Sequence, residues 1–371
     1  MKVSRLCVAV AVLVAVGISG AFGATRAEFE AKLKKAKQGD VEAQCDVGLM
    51  YANGDGVKQD YQKAREWYEK AAALNDADAI TNLGDMYYDG QGVKQDYKKA
   101  FEYYEKAAAL NEATAIYNLG YMYANGYGVK QDYKKARKYY EKAAALNNST
   151  AITHLGYMYE NGYGVKQDYK KAREYYEKAA ALNEAWAITN LGYMYENGYG
   201  VKQDYKKARE YYEKAAALNE ALAIYNLGEM YENGYGVKQD YKKAREYYEK
   251  GAELGEDDCM MSLGRIYENG LDIKQDINKA IEFYRKASAN GNAQAKKALA
   301  RLNVPQNTSD ITVTKTPKQP ATPVNDRMAK FMNELVINRP RVVIFPFEDK
   351  STEGNAPASA ILDMMITELH Q

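Results

Sequence analysis

The chain has 371 residues, with 51 basic and 50 acidic side chains and a net charge of +1. A balance that close excludes the broad electrostatic attraction on which nucleic-acid binders rely. Tyrosine is abundant at 35 residues, against 7 Phe, 2 Trp and 2 His, and every tyrosine falls in the repeated text between Tyr51 and Tyr284.

Residues 1–23 read as an export signal. Lys2 and Arg5 form a positive start, Leu6 to Ile18 is an apolar run, and Ala21-Phe22-Gly23 has the small-x-small form of a cleavage site. Cleavage is expected between Gly23 and Ala24. The alternative is an uncleaved anchor, but the apolar run is shorter than the ~20 residues that a spanning helix needs. Cys7 lies inside that run, a poor place for lipidation, and no later segment is apolar enough to span a bilayer. The chain is therefore expected in the periplasm or outside the cell, with no stable membrane span after cleavage. Cys45 and Cys259 remain, in the first and seventh copies of the repeat. Six repeats separate them, far beyond the ~7 Å that a disulfide tolerates, so they are not expected to pair.

From residue 27 to 302 one text recurs with a period of 36 residues, marked by Leu83-Gly84, Leu119-Gly120, Leu155-Gly156, Leu191-Gly192, Leu227-Gly228 and Leu263-Gly264, with Val47-Gly48 before them. A fixed period of this length marks a stack of identical supersecondary units rather than one globular core. The third copy predicts helix A over 112–124, with Ala115, Leu119, Met122 and Tyr123 on one face. Asn125-Gly126-Tyr127-Gly128 stops it, the first glycine as a left-handed cap and the second for a tight turn. Asp132 is a good N-cap for helix B over 133–146, whose Ala136, Tyr140 and Ala143 share a face, and Asn147 ends it. Residues 28–39 occupy the place of a preceding helix B, and 293–302 that of a following helix A, more polar as a cap requires. The expected fold is all-α: a solenoid of seven helix-turn-helix repeats with half-repeat caps.

Residues 303–327 hold Pro305, Pro317, Pro320 and Pro323 among Thr, Asn, Ser and Lys, and read as a disordered linker. Residues 328–371 offer one apolar strand, Arg341 to Phe347, and one amphipathic helix starting near Pro357. One strand and one helix are too little for an independent domain.

The unit AxAxxxLGxMYxNGxGVxQDYxKAxxYYEKAA resembles the Sel-one-like repeat, a relative of the tetratricopeptide repeat, over about three quarters of the chain. The resemblance implies a right-handed superhelix of helix pairs whose helix-A side is concave, and an adaptor role in protein complexes. The C-terminal segment RVVIFPFEDKSTEGN…ILDMMITEL looks like the opening of the curli-secretion lipoprotein domain, over about 30 residues, with the rest missing.

Chemistry is nearly absent. His154 stands where four other copies have Asn82, Asn118, Asn190 and Asn226, and reads as a polar groove or edge residue. There is no Cys-x-x-Cys, no His pair at metal-ligand spacing and no Ser-x-x-Lys, so no catalytic residue, cofactor or metal is assigned. The Lys-rich VKQDYKKAR run is balanced by Glu on the same helix and reads as a solvated face.

The copies differ mainly on helix A, at −5, −2, +2 and +5 from the repeat leucine, positions off the packed face that line the concave groove of a tetratricopeptide-like stack. The groove so defined is aromatic in the middle (Tyr117, Tyr121, Tyr157, Trp186, Tyr193, Tyr225) and acidic toward its C-terminal half (Glu160, Glu196, Glu229, Glu232). Stiff aromatics with a charged border suit peptide or protein partners. The expected function is an exported, non-enzymatic scaffold at the cell envelope. The alternatives are an activator of an envelope, peptidoglycan-related enzyme and a secreted effector that engages a host.

Overall fold

The structure, a computed structural model, describes residues 24–304. The signal segment 1–23, the strand-helix segment 328–371 and all but the first two residues of the linker lie outside the described residues.

The described residues form sixteen helices and no strand. Helix α1, Arg26–Lys37, precedes seven pairs. These are α2 Val41–Asn53 with α3 Tyr61–Ala72, α4 Ala77–Asp89 with α5 Tyr97–Ala109, and α6 Ala113–Asn125 with α7 Tyr133–Ala145. Then come α8 Ser149–Asn161 with α9 Tyr169–Ala180, α10 Ala185–Asn197 with α11 Tyr205–Ala217, α12 Ala221–Asn233 with α13 Tyr241–Glu253, and α14 Asp257–Asn269 with α15 Ile277–Ala289. Helix α16, Ala293–Arg301, closes the row. The helices of the third copy begin and end within one residue of the expected bounds.

Local chemistry sets each boundary. The Asp132 carboxylate accepts the Lys135 amide at 3.0 Å and so caps α7. Gly126 ends α6 at φ 74°, and Asn147 follows α7 at φ 61°, both in the left-handed region that Gly and Asn tolerate best. Gly128 meets a second constraint, since a Cβ there would lie 2.8 Å from the Tyr97 carbonyl carbon of the preceding repeat.

Within a pair, Ala115, Leu119 and Met122 of α6 face Ala136, Tyr140 and Ala143 of α7, each 1% exposed or less. Burying a Leu or Met side chain contributes roughly 1.5–3 kcal/mol, repeated in each copy. The glycine of each Leu-Gly pair lets the two helices meet: a Cβ on Gly120 would sit 2.8 Å from the Tyr140 ring. Beside this contact Tyr123 stacks on Tyr139 at 5.6 Å, and the same stack recurs at Tyr159–Tyr175, Tyr195–Tyr211 and Tyr231–Tyr247. Loop tyrosines join one repeat to the next, as Tyr163 stacks on Tyr133 and Tyr199 on Tyr169, both at 5.0 Å. The tyrosine excess is therefore architectural. On helix B, Arg137 pairs with Glu141 at 3.5 Å and Arg173 with Glu177 at 3.5 Å, the charge balance expected of a solvated face. Cys45 and Cys259 are free thiols, the second buried in the core.

Candidate protein-interaction face

Large side chains on helix A, most of them at the variable positions, reach from one copy to the next. Tyr88 of α4 meets Tyr121 of α6 at 6.4 Å, and Tyr117 of α6 meets His154 of α8 at 5.1 Å. His154 meets Trp186 of α10 at 5.2 Å, and Tyr157 of α8 meets Trp186 at 6.0 Å. Tyr140, from the core face of α7, touches both Tyr117 and His154, at 5.7 and 5.2 Å, and ties this aromatic layer to the core.

The layer corrects an expectation. Tyr117, Tyr121, Tyr157 and Trp186 are not off the packed structure; they expose 2, 4, 6 and 2%. A helical wheel treats one helix at a time. In a stack the neighbouring helix A stands close enough for rings at −5, −2, −1, +2 and +5 of successive copies to pack on one another. Tyr193 and Tyr225 are half-buried. His154 is also not an edge residue, at 2% exposed. Its Nδ1 lies 2.9 Å from the Thr150 carbonyl oxygen, which assigns the ring proton to Nδ1 as donor. Burial pushes the imidazole down to about 4, so the ring is neutral near pH 7.

The acids hold a second pattern. The hydroxyls of Tyr176, Tyr212, Tyr248 and Tyr284 donate to the carboxylates of Glu160, Glu196, Glu232 and Glu268, at 2.5, 2.6, 2.8 and 2.7 Å. Each tyrosine is the core residue that packs against the repeat glycine, sixteen residues after its glutamate. Glu160 and Glu232 are accordingly buried, not a solvated border. The signal was present in the sequence as a fixed Glu-to-Tyr offset in four consecutive copies.

Two of these carboxylates also bind a guanidinium. Arg265 of α14 forms a fork on Glu232, with Nη1 to Oε1 and Nη2 to Oε2 both at 2.6 Å. Arg301 of α16 places Nη2 2.6 Å from each oxygen of Glu268. Both arginines come from the +2 position of the next helix A. At that position the helix after Glu196 carries Glu229, half-buried like Glu196 itself. Burial lifts the Glu196 carboxyl above its ordinary value, with the Tyr212 hydroxyl opposing the rise.

Among the described residues no group of three or more His, Cys, Asp or Glu is placed to hold a metal ion. Nor is any described helix long and apolar enough to cross a membrane.

A row of helix pairs in which each helix packs on its neighbours in the chain is an α-solenoid of the tetratricopeptide-like class. The Sel1 repeat model matches residues 41–76, 77–112, 113–148, 149–184, 187–220, 221–256 and 257–292. The chain belongs to the Sel1 repeat family, whose members are protein-interaction scaffolds. Among solved structures, it is 36% identical to a protective antigen present in uropathogenic Escherichia coli strains that displays an SLR fold, with a TM-score of 0.56. That match covers 74% of this chain and 59% of the other, so this chain spans under two thirds of the antigen's length. It is 37% identical to a Sel1 repeat protein from Oxalobacter formigenes, with a TM-score of 0.58, covering 62% of this chain and 94% of that one. No curated protein matches the chain.

Proposed function

We propose that the chain is an exported scaffold that holds protein or peptide partners on its helix-A face at the cell envelope, without chemistry of its own. One observation carries the reading: copies that are otherwise near-identical differ chiefly on helix A. The −5 position runs Glu42, Asp78, Thr114, Thr150, Trp186, Leu222, Asp258, while helix B of the first six copies repeats YKKAREYYEKAA almost letter for letter. A constant frame with one variable face is how a repeat array presents a binding surface. Of the ten residues singled out, Tyr193, Glu196, Tyr225 and Glu229 are half-buried and so partly accessible, and Tyr117, Tyr121, Tyr157 and Trp186 belong to the buried aromatic layer. Export is supported by the composition of residues 1–23 and by likeness to a protective antigen.

Two measurements test this. Cell fractionation with mass spectrometry of the mature N-terminus should find the chain outside the cytoplasm, starting at Ala24; a full-length cytoplasmic chain overturns the export reading. Affinity capture from envelope extract should give partners that are lost on Tyr193→Ala with Tyr225→Ala. Identical partner sets for the two proteins would move binding to another surface.

A further inference from the structure

The +5 glutamates of three consecutive copies share one architecture and differ in one feature. Glu196, Glu232 and Glu268 each accept a hydroxyl from the core tyrosine sixteen residues on, through Oε2. In Glu232 and Glu268 the carboxylate is completed by an arginine from the +2 position of the following helix A. In Glu196 it is not. The +2 residue there is Glu229, Glu196 makes no ion pair with any described residue, and its Oε1 accepts no hydrogen bond that matches the Arg265 fork. The chain thus shows, twice, what ligand this carboxylate takes when one is offered. At the +2 position, where the next two A helices carry that ligand, α12 carries a second acid, Glu229.

We propose that Glu196, backed by Tyr212 and offered no arginine by the +2 position of α12, is a recognition site for an arginine side chain of a bound partner, which seats where Arg265 and Arg301 seat on Glu232 and Glu268. The inference rests on the helix-A face being the binding face and names what that face reads. The Arg265 geometry is a two-nitrogen fork, which a guanidinium matches and an ammonium does not. A half-buried carboxylate that makes no ion pair within the chain gains from a cation that displaces no existing partner. Tyr193, half-buried and about one turn before Glu196 on α10, is a ring of the type on which a guanidinium stacks.

The test uses the full chain and a randomised dodecapeptide phage library as the probe, followed by fluorescence anisotropy titration of the synthetic peptides recovered. The peptides should carry an arginine whose replacement by citrulline weakens binding roughly 30-fold or more, as expected for one partner cut from a desolvated, hydrogen-bonded charge pair. Replacement by lysine should also weaken it. Glu196→Gln keeps an acceptor for Tyr212 and should cause a similar loss. Glu229→Arg copies the internal arrangement of Arg265 and Arg301, fills the site from within and should abolish arginine-dependent binding. Glu141→Gln, on an exposed helix-B pair, should change nothing. Peptides that bind without an arginine, or that bind Glu196→Gln and Glu229→Arg as tightly as wild type, overturn the inference. If such peptides still lose binding to Tyr193→Ala, the helix-A face remains the binding face and the arginine site alone fails. If Tyr193→Ala also leaves them unchanged, or no peptide is recovered, both readings fail.

Discussion

Tyr140 is a buried tyrosine whose hydroxyl has no hydrogen-bond partner, because sixteen residues before it stands Ala124, where the next four copies place glutamate. The same ring in the same core thus sits in two different polar environments. Removing the hydroxyl should have opposite consequences in the two. Tyr140→Phe deletes an unmade bond and should be neutral or slightly stabilising. Tyr212→Phe strands the Glu196 carboxylate, at a cost of about 1–3 kcal/mol. Thermal unfolding of the two variants against wild type checks this, and equal shifts would deny the Glu–Tyr bond any energetic weight.

The glycine of each Leu-Gly pair sets two effects in opposition. Alanine is the better helix former by about 1 kcal/mol. Yet a Cβ on Gly192 would lie 2.5 Å from Cε1 of the Tyr212 ring. Overpacking of this kind typically costs 1–3 kcal/mol, so the steric term should win and Gly192→Ala should destabilise. Hydrogen exchange should report the loss in α10 and α11 first, since a repeat touches chiefly its neighbours. A rise in melting temperature would mean that the Tyr212 ring gives way easily.

Period, turn glycines and caps made the fold legible in the sequence, because each is a local requirement written near the residue that meets it. Asp132 caps the helix that starts beside it, and Gly126 ends the helix that precedes it. The face was legible in position and misjudged in burial. Trp186 is covered by residues from another copy, His154 and Tyr157, at a distance that a one-helix wheel does not represent. The Glu196–Tyr212 bond spans a loop and two helices, and reads as a contact only once the pair is folded.

The aromatic layer should therefore carry stability as well as any binding. Trp186→Ala removes a 2%-exposed ring that touches His154 and Tyr157. The expected cost is about 3 kcal/mol or more, with weakened protection in α8 and α10. A binding assay on this variant reads folding and recognition together, whereas the half-buried Tyr193 separates them. Unchanged thermal stability of Trp186→Ala would return the residue to a purely surface role.

Stability should also depend on pH through the acids that begin the later helix-A segments. Glu220 and Glu256 are the N-cap residues of α12 and α14, and neither makes a side-chain capping bond. Burial raises Glu220 to about 7, with Glu184 adding to the rise. Glu256 is raised to about 7 by burial and then by Asp258 and Asp257. Both ordinarily titrate at 4.5, so between that value and 7 the folded chain holds protons that the unfolded chain releases. Their contribution is fully present below 4.5 and is lost as pH rises through 7. His154 acts in the opposite sense. Its contribution is present above 6.5 and is lost as pH falls toward 4. Two groups against one predicts a higher melting temperature at about pH 5.5 than at about pH 8. Glu220→Gln with Glu256→Gln should flatten that rise, and His154→Asn, the residue of four other copies, should steepen it. A wild-type melting temperature that climbs from pH 5.5 to 8 would show that the two carboxyls stay ionised in the folded chain.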